Sequence, residues 1–307
     1  MLVCVAAPCT AADADCDASP APALLPVSRH VWRVPAAPGE SDPTNAGRVT
    51  QLVIVQDGAR VWLVGSGPTP AFGEALACAI QRRLGRAVTD VLNTRAGPEL
   101  SMGNAAFKGA RLWALPDVIE VMQSRCPSCL ERLKGNIGAA GESLEPDRIL
   151  IPSMAIGLAG EVRGRLGPFS WRALARAPGE RTLVLRHPGA RLVVAQGLLW
   201  AGDVPNLRDT NSATMLASLH ELQRFAAGAR LLGEQGGLAE PQAVAEHVAY
   251  IGALRRAALM HLVRGDVDGA SGIGIGLPGF AGLPGYALGH PLNLQRIWRE
   301  LELEVLR

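Results

Sequence analysis

Six histidines, six cysteines and an arginine four residues before a glutamate are the first places to look for chemistry in this chain. The histidines are His30, His187, His220, His247, His261 and His290, and no two stand four apart, the spacing that puts a metal-binding pair on one helix face. A site built from them would need tertiary convergence, so core or surface roles are expected. Cys126-Pro-Ser-Cys129 has the spacing of a redox pair or of half a structural zinc site. No second cysteine pair completes such a site, and either a disulfide or two buried thiols is expected. Arg95 and Glu99 can form a guanidinium–carboxylate pair; the alternative is an exposed pair that contributes little. Gly65-x-Gly67 and Gly272-x-Gly-x-Gly276 lack the strand-to-helix setting of a phosphate loop and read as ordinary loops.

The elements that must position these residues follow from pattern. Leu52–Val55 and Val61–Val64 flank Asp57-Gly58, which predicts a hairpin over 51–65. A helix is expected from Pro70 to Leu84, with Phe72, Leu76, Ala79 and Ile80 at helical spacing. A buried strand over Val88–Asn93 leads into a loop, Thr94–Leu100, and a helical turn near Gly103–Phe107. Strands are expected at Ala110–Ala114 and Arg148–Ile151, with a helix between them that starts at Pro116 and reaches about Lys134. Further strands are expected within Glu161–Ala175 and Thr182–Trp200, with turns at Pro178-Gly179 and Pro188-Gly189. A helix over Ser212–Ala226, a strand at Ala229–Leu232 and helices over Pro241–Val263 and Leu292–Leu306 complete the chain; Leu277–Tyr286 reads as a loop. Hairpins mixed with helices make the fold α/β or α+β, two sheets covered by helices.

Composition narrows the function classes. With 307 residues, 48% of them hydrophobic, the chain can bury one large core. The net charge of +2 is spread without a basic block, which argues against nucleic acid as the partner. No apolar run approaches the roughly 18–20 residues of a membrane span. Met1–Ala12 is apolar and ends in small residues but lacks a basic start, so it reads as the tail of a secretion signal; a disordered Ala-rich leader is the other possibility. Residues 13–26 read as a linker and 27–307 as the folded domain. Cys16, Cys78, Cys126 and Cys129 are an even set that permits disulfides in the periplasm or outside the cell. Without export the protein would be cytoplasmic.

The most informative stretch is Asn93-Thr-Arg-Ala-Gly-Pro-Glu-Leu-Ser-Met-Gly-Asn-Ala-Ala-Phe107. It resembles the signature loop of the metallo-β-lactamase superfamily, in which a buried strand delivers Asn-Thr, then His-x-His-x-Asp-His, then Gly-Asn-Ala-Ala-Phe. Asn93, Thr94, Pro98 and Gly103 to Phe107 match the frame. Arg95, Gly97, Glu99 and Leu100 stand where the resemblance expects His, His, Asp and His. Downstream, Arg176 stands for the histidine of a His-Thr-Pro-Gly turn, Gly197 for the bridging aspartate (with Gly202-Asp203 a rival placement) and Gln235 for the histidine of the last turn. Segments 125–130, 204–209 and 285–302 are similar to a subgroup named for quinoprotein-associated zinc hydrolases.

The resemblance implies a four-layer αββα sandwich with its site at one edge of the two sheets. It also implies zinc, which these residues are poorly suited to hold. Catalytic zinc takes about three imidazole or carboxylate ligands plus a water. Glycine and leucine offer no ligand, and arginine is a permanent cation. The expectation is therefore no metal cofactor and a catalytically inactive hydrolase homologue that binds a ligand or a partner. An enzyme with an atypical or metal-independent site is the alternative, with Glu99 as general base and His187 or Asp209 beside it. An accessory role in a periplasmic redox system is a third possibility, implied by the subgroup alone.

Overall fold

The computed structural model describes residues 21–146, 149–265 and 274–305. Two sheets stand face to face. The first has seven strands in chain order: β1 (Leu25–Ser28), β2 (Val31–Val34), β3 (Leu52–Asp57), β4 (Arg60–Val64), β5 (Asp90–Leu92), β6 (Arg111–Ala114) and β7 (Met154–Ala155). Strands β1 to β4 pair antiparallel, and β4 to β7 pair parallel. The parallel crossovers carry helices α1 (Pro70–Leu84), α2 (Pro98–Ser101) and α3 (Pro116–Ile137). The second sheet runs β13-β12-β11-β10-β9-β8, from β8 (Arg163–Leu166), β9 (Phe169–Ala177), β10 (Glu180–His187), β11 (Leu192–Val194), β12 (Arg230–Leu232) and β13 (Leu238–Ala239). Helix α4 (Ser212–Phe225) links the parallel pair β11 and β12, and α5 (Gln242–Arg264) and α6 (Tyr286–Val305) follow.

Local chemistry explains the boundaries. Gly58, at φ +59°, occupies the two-residue turn that puts Asp57 opposite Arg60. Helix α1 starts where the Thr69 side chain accepts from the Phe72 amide and ends at left-handed Gly85. The Asn211 side chain caps α4 in the same way, accepting from the Thr214 amide at 2.9 Å. Apolar side chains then sort into three layers. Val53, Val55, Trp62, Phe169, Leu183 and Leu185 fill the space between the sheets, closed at one side by the buried face of α3. Leu52, Ile54, Leu63, Leu76 and Ile80 join the first sheet to α1. Val184, Val193, Leu219, Ile251 and Trp298 join the second sheet to α4, α5 and α6. The result is an αββα sandwich, as expected from the resemblance.

Several boundaries differ from the sequence reading. No strand occupies 149–151; the pairing falls at Met154–Ala155, because Trp113 and Ala114 of β6 are the residues left to pair there. Arg148 lies outside the described residues, as do the signal-like stretch 1–12, the first part of the linker, 13–20, and part of the 272–276 glycine run. Leu25 and Pro26 belong to β1, so the folded part starts within the stretch read as linker. Helix α6 begins at Tyr286, with Pro291 in its first turns.

One buried charge ties the parallel strands together. Asp90, fully buried at the start of β5, accepts from Arg60 and Arg111 on its two neighbouring strands and from the Trp113 indole at 2.9 Å. Burial pushes its carboxyl up, but these partners and Thr89 outweigh it and hold the group below the ordinary aspartate value. Asp90→Asn keeps the shape and removes the charge, and is expected to lower stability by about 2 kcal/mol in denaturant unfolding. An unchanged midpoint and slope would show that the cross-strand charge contributes nothing.

Candidate functional site

Loops from both sheets meet at one edge of the sandwich. The segment after β5 supplies Asn93 to Leu100, the end of β9 supplies Arg176, the turn after β11 supplies Gln196 and Gly197, and the turn after β12 supplies Gly233 to Gly236. Buried polar contacts fix these loops. Asn104 and Asn93 exchange side-chain hydrogen bonds at 2.7 and 3.2 Å, and Asn104 also binds Ser66 and the Leu150 carbonyl. A Cβ at Gly103 would lie 2.2 Å from the Ser66 carbonyl oxygen, so only glycine permits that approach. Thr94 donates to Gln196, which in turn donates to the Gln51 carbonyl. The matched frame residues thus hold the loop in place; they carry no chemistry of their own.

The loops and α3 enclose a cavity of about 240 Å³. Arg95, Gly97, Glu99, Arg176 and Gln235 line it. Gly197 lies directly behind: a Cβ there would meet Arg95 Cδ at 2.9 Å and Arg176 Nε at 3.3 Å. Leu100 turns away from the cavity into the core beside Gly65 and Leu52, where its side chain is fully buried. Gln235 donates to and accepts from the backbone of Gly39, pinning the 37–49 loop over the site. Asp209 joins Glu99 at the cavity, whereas His187 sits on β10 against Phe169 and does not line it. Asp203, the rival for the bridging position, also lies outside it and accepts from the Val204 amide.

The centre of the site is an ion pair that the sequence reading missed. Arg95 does not pair with Glu99. Its Nη2 donates to Glu234 Oε1 at 2.5 Å and its Nε to Oε2 at 3.3 Å. Glu99 instead accepts from Ser41 at 3.3 Å. Glu234, 3% exposed, also accepts from Thr50 at 2.5 Å and from the Gly197 amide at 2.7 Å. Arg95 lies in the bend before α2 and Glu99 within that helix, where its carboxylate turns to Ser41, whereas the turn after β12 aims a carboxylate straight at the guanidinium. Burial alone would raise the Glu234 carboxyl, but Arg95, Thr50 and Arg176 hold it down. Burial likewise works against the charge on Arg95, and Glu234 reverses that effect. Arg176 forms no salt bridge with a described residue, and Glu234, Asp209 and Glu180 act on it only from a distance. Burial first, and then the neighbouring Arg95, push its guanidinium down to about 10.

Cys126 and Cys129 are free thiols on the α3 wall of the cavity, so of the two expectations for this pair the structure shows the thiols. Burial, with Cys129 nearby, raises Cys126 to about 11, and burial raises Cys129 as well. Neither is a thiolate nucleophile near neutral pH. Cys78 is disulfide-bonded.

These donors do not fit zinc. The carboxylates lining the cavity are Glu40, Glu99, Asp117, Glu180, Asp209 and Glu234; Glu40, Asp117 and Glu180 pair with Arg208, Arg181 and Arg125, and Glu234 is saturated by a guanidinium, a hydroxyl and an amide. Among the described residues no three His, Cys, Asp or Glu side chains are placed to share a cation. Two guanidiniums occupy the centre instead, and a divalent cation there would meet like charge. Among the described residues, no helix is long and apolar enough to cross a membrane.

No protein-family model and no curated protein sequence matches the chain. Solved structures do. The metallo-β-lactamase of Hirschia baltica superposes with a TM-score of 0.59 at 13% identity, over 76% of this chain and 98% of that one. FIM-1 from Pseudomonas aeruginosa, in its mono-zinc form, gives 0.62 at 13% identity over 78% and 98%. The metallo-β-lactamase of Erythrobacter litoralis, with β-mercaptoethanol in its active site, gives 0.60 at 15% over 75% and 96%. At such identities the likeness establishes the fold.

Proposed function

Starting from a metallo-β-lactamase fold whose site edge is filled by arginines, we propose that this protein is a catalytically inactive hydrolase homologue that binds a ligand or partner at that edge. The observation that carries this reading is the Arg95–Glu234 pair. A Cβ at Gly97 would lie 1.9 Å from Arg95 Nη1, so the guanidinium takes up the room a ligating side chain would need. Its positive charge is neutralised within the protein, by Glu234, and nothing there calls for a metal. Within this reading the chain is a degenerate relative of the quinoprotein-associated zinc hydrolases, acting as an accessory protein, with a periplasmic redox system among its candidate partners. The disulfide at Cys78 supports export, since such bonds persist mainly in oxidising compartments.

Metal analysis tests the proposal. Protein prepared without chelators, incubated with excess zinc and desalted, is expected to retain far less than one zinc per chain. It is also expected to leave lactam and thioester substrates intact. Stoichiometric zinc with zinc-dependent turnover would refute the reading. Turnover in the presence of a chelator would instead favour a metal-free hydrolase using Glu99 as base, with Asp209 beside it.

A further inference from the structure

We propose that the cavity takes a small organic monocarboxylate, its head group on Arg176 and its apolar body along α3. This rests on the reading of the cavity as a binding site and names the class of ligand. Arg176 reaches in from the end of β9 with its Nε on the Gly197 carbonyl at 3.0 Å and its Nη2 on the Arg208 carbonyl at 3.3 Å. Those contacts use two of the five guanidinium N–H groups. Nη1 hydrogen-bonds to no described residue, and no carboxylate among them forms a salt bridge with Arg176.

The other arginines at the cavity are mostly engaged. Arg95 pairs with Glu234, Arg181 with Asp117, Arg125 with Glu180 and Arg208 with Glu40. Arg176 is therefore a half-buried cation at the cavity, next to a second guanidinium, with N–H groups that no described protein group takes up. A planar oxyanion answers that arrangement end-on, with two bonds from the N–H groups left on Nη1 and Nη2. Glu99 and Asp209 on the same cavity disfavour a multiply charged anion, which selects a monocarboxylate over phosphate. The α3 wall supplies Val121, with Val118 and Met122 buried beside it, as the apolar side of the cavity for the rest of the molecule. A volume of about 240 Å³ is smaller than the roughly 300–1,000 Å³ of sites for drug-sized ligands, so the body is short.

The test measures binding of acetate, hexanoate, benzoate and inorganic phosphate to the full chain, by calorimetry and ligand-observed NMR with a chelator present. Hexanoate and benzoate are expected to bind about tenfold more tightly than acetate, and phosphate more weakly than either. Arg176→Gln is expected to weaken every carboxylate about tenfold or more. Val121→Asn is expected to weaken hexanoate and leave acetate unchanged, and it keeps the test open should Arg176→Gln not fold. Three results overturn the proposal: no carboxylate binds, phosphate matches hexanoate, or both variants bind as the parent does. Zinc content of the same preparation separates the two readings. Zinc-free protein that ignores carboxylates sinks this inference alone, whereas zinc-loaded protein sinks the reading beneath it.

Discussion

Glu234→Gln is expected to destabilise the fold by about 4 kcal/mol, a drop in melting temperature of roughly 10 °C. The substitution preserves volume and can still accept from Thr50 or the Gly197 amide. What it removes is the only carboxylate that salt-bridges Arg95 among the described residues, and Arg176 lies alongside. Two largely covered guanidiniums would then lie side by side with no salt-bridge partner among the described residues, only the more distant Glu99, Asp209 and Glu180. Breaking a buried pair from one side is costly for that reason, while replacing both partners is far milder. The double variant Arg95→Met, Glu234→Met should therefore recover much of the loss. Denaturant unfolding with the double-mutant cycle measures this directly. A Glu234→Gln protein within 1 kcal/mol of the parent, a bound set by the roughly 0–1 kcal/mol of an exposed pair, would mean that water reaches the pair.

Stability is also expected to fall by about 3 kcal/mol between pH 6.5 and pH 4.5, before most carboxylates titrate. The cause is His247 on α5, whose Nε2 accepts from the Trp200 amide at 3.0 Å while the ring stacks on the Trp200 indole. Burial lowers its pKa to about 4 from 6.5. The folded pKa is thus below the unfolded one. The neutral ring's contribution is complete above pH 6.5 and is lost as the pH falls towards 4, because the unfolded chain takes up the proton first. His187 is lowered by burial too and adds to the same window. His247→Gln isolates the larger share: its stability should fall distinctly less over this range. A parent curve that is flat from pH 6.5 to 4.5 would show that His247 titrates normally in the folded protein.

The layers of this fold were legible wherever local chemistry dictates structure. The Asp57-Gly58 turn, the Pro70–Leu84 helix and the Pro116 start all emerge as read, because each boundary is set by a residue adjacent in sequence. Strands β1 and β2 went unread: each has four residues, and Pro26 within β1 masks the pattern of an edge strand. The site was half legible. Of the seven positions that the resemblance singled out, Arg95, Gly97, Glu99, Arg176 and Gln235 line the cavity, whereas Leu100 and Gly197 do not. The partner of Arg95 was not readable, because Glu234 lies 139 residues away and no periodicity links the two. The one clue was a carboxylate inside the Gly233–Gly236 turn, next to the position the resemblance singled out. Thr50 and the 37–49 loop carried no sequence signal at all.

The close fit between Arg95 and the two glycines around it makes the introduction of metal chemistry here steep. A histidine introduced at 97 alone would drive into Arg95 Nη1, an end that cannot swing aside while Glu234 grips it. An aspartate at 197 would crowd the Arg95 stem from the other side, on a backbone at φ +77° that side chains seldom tolerate. Exchanging Arg95 by itself would strand Glu234 without its cation. Each lone step towards a cation cage is a step downhill in stability, so a metal centre could be installed only by several coordinated replacements.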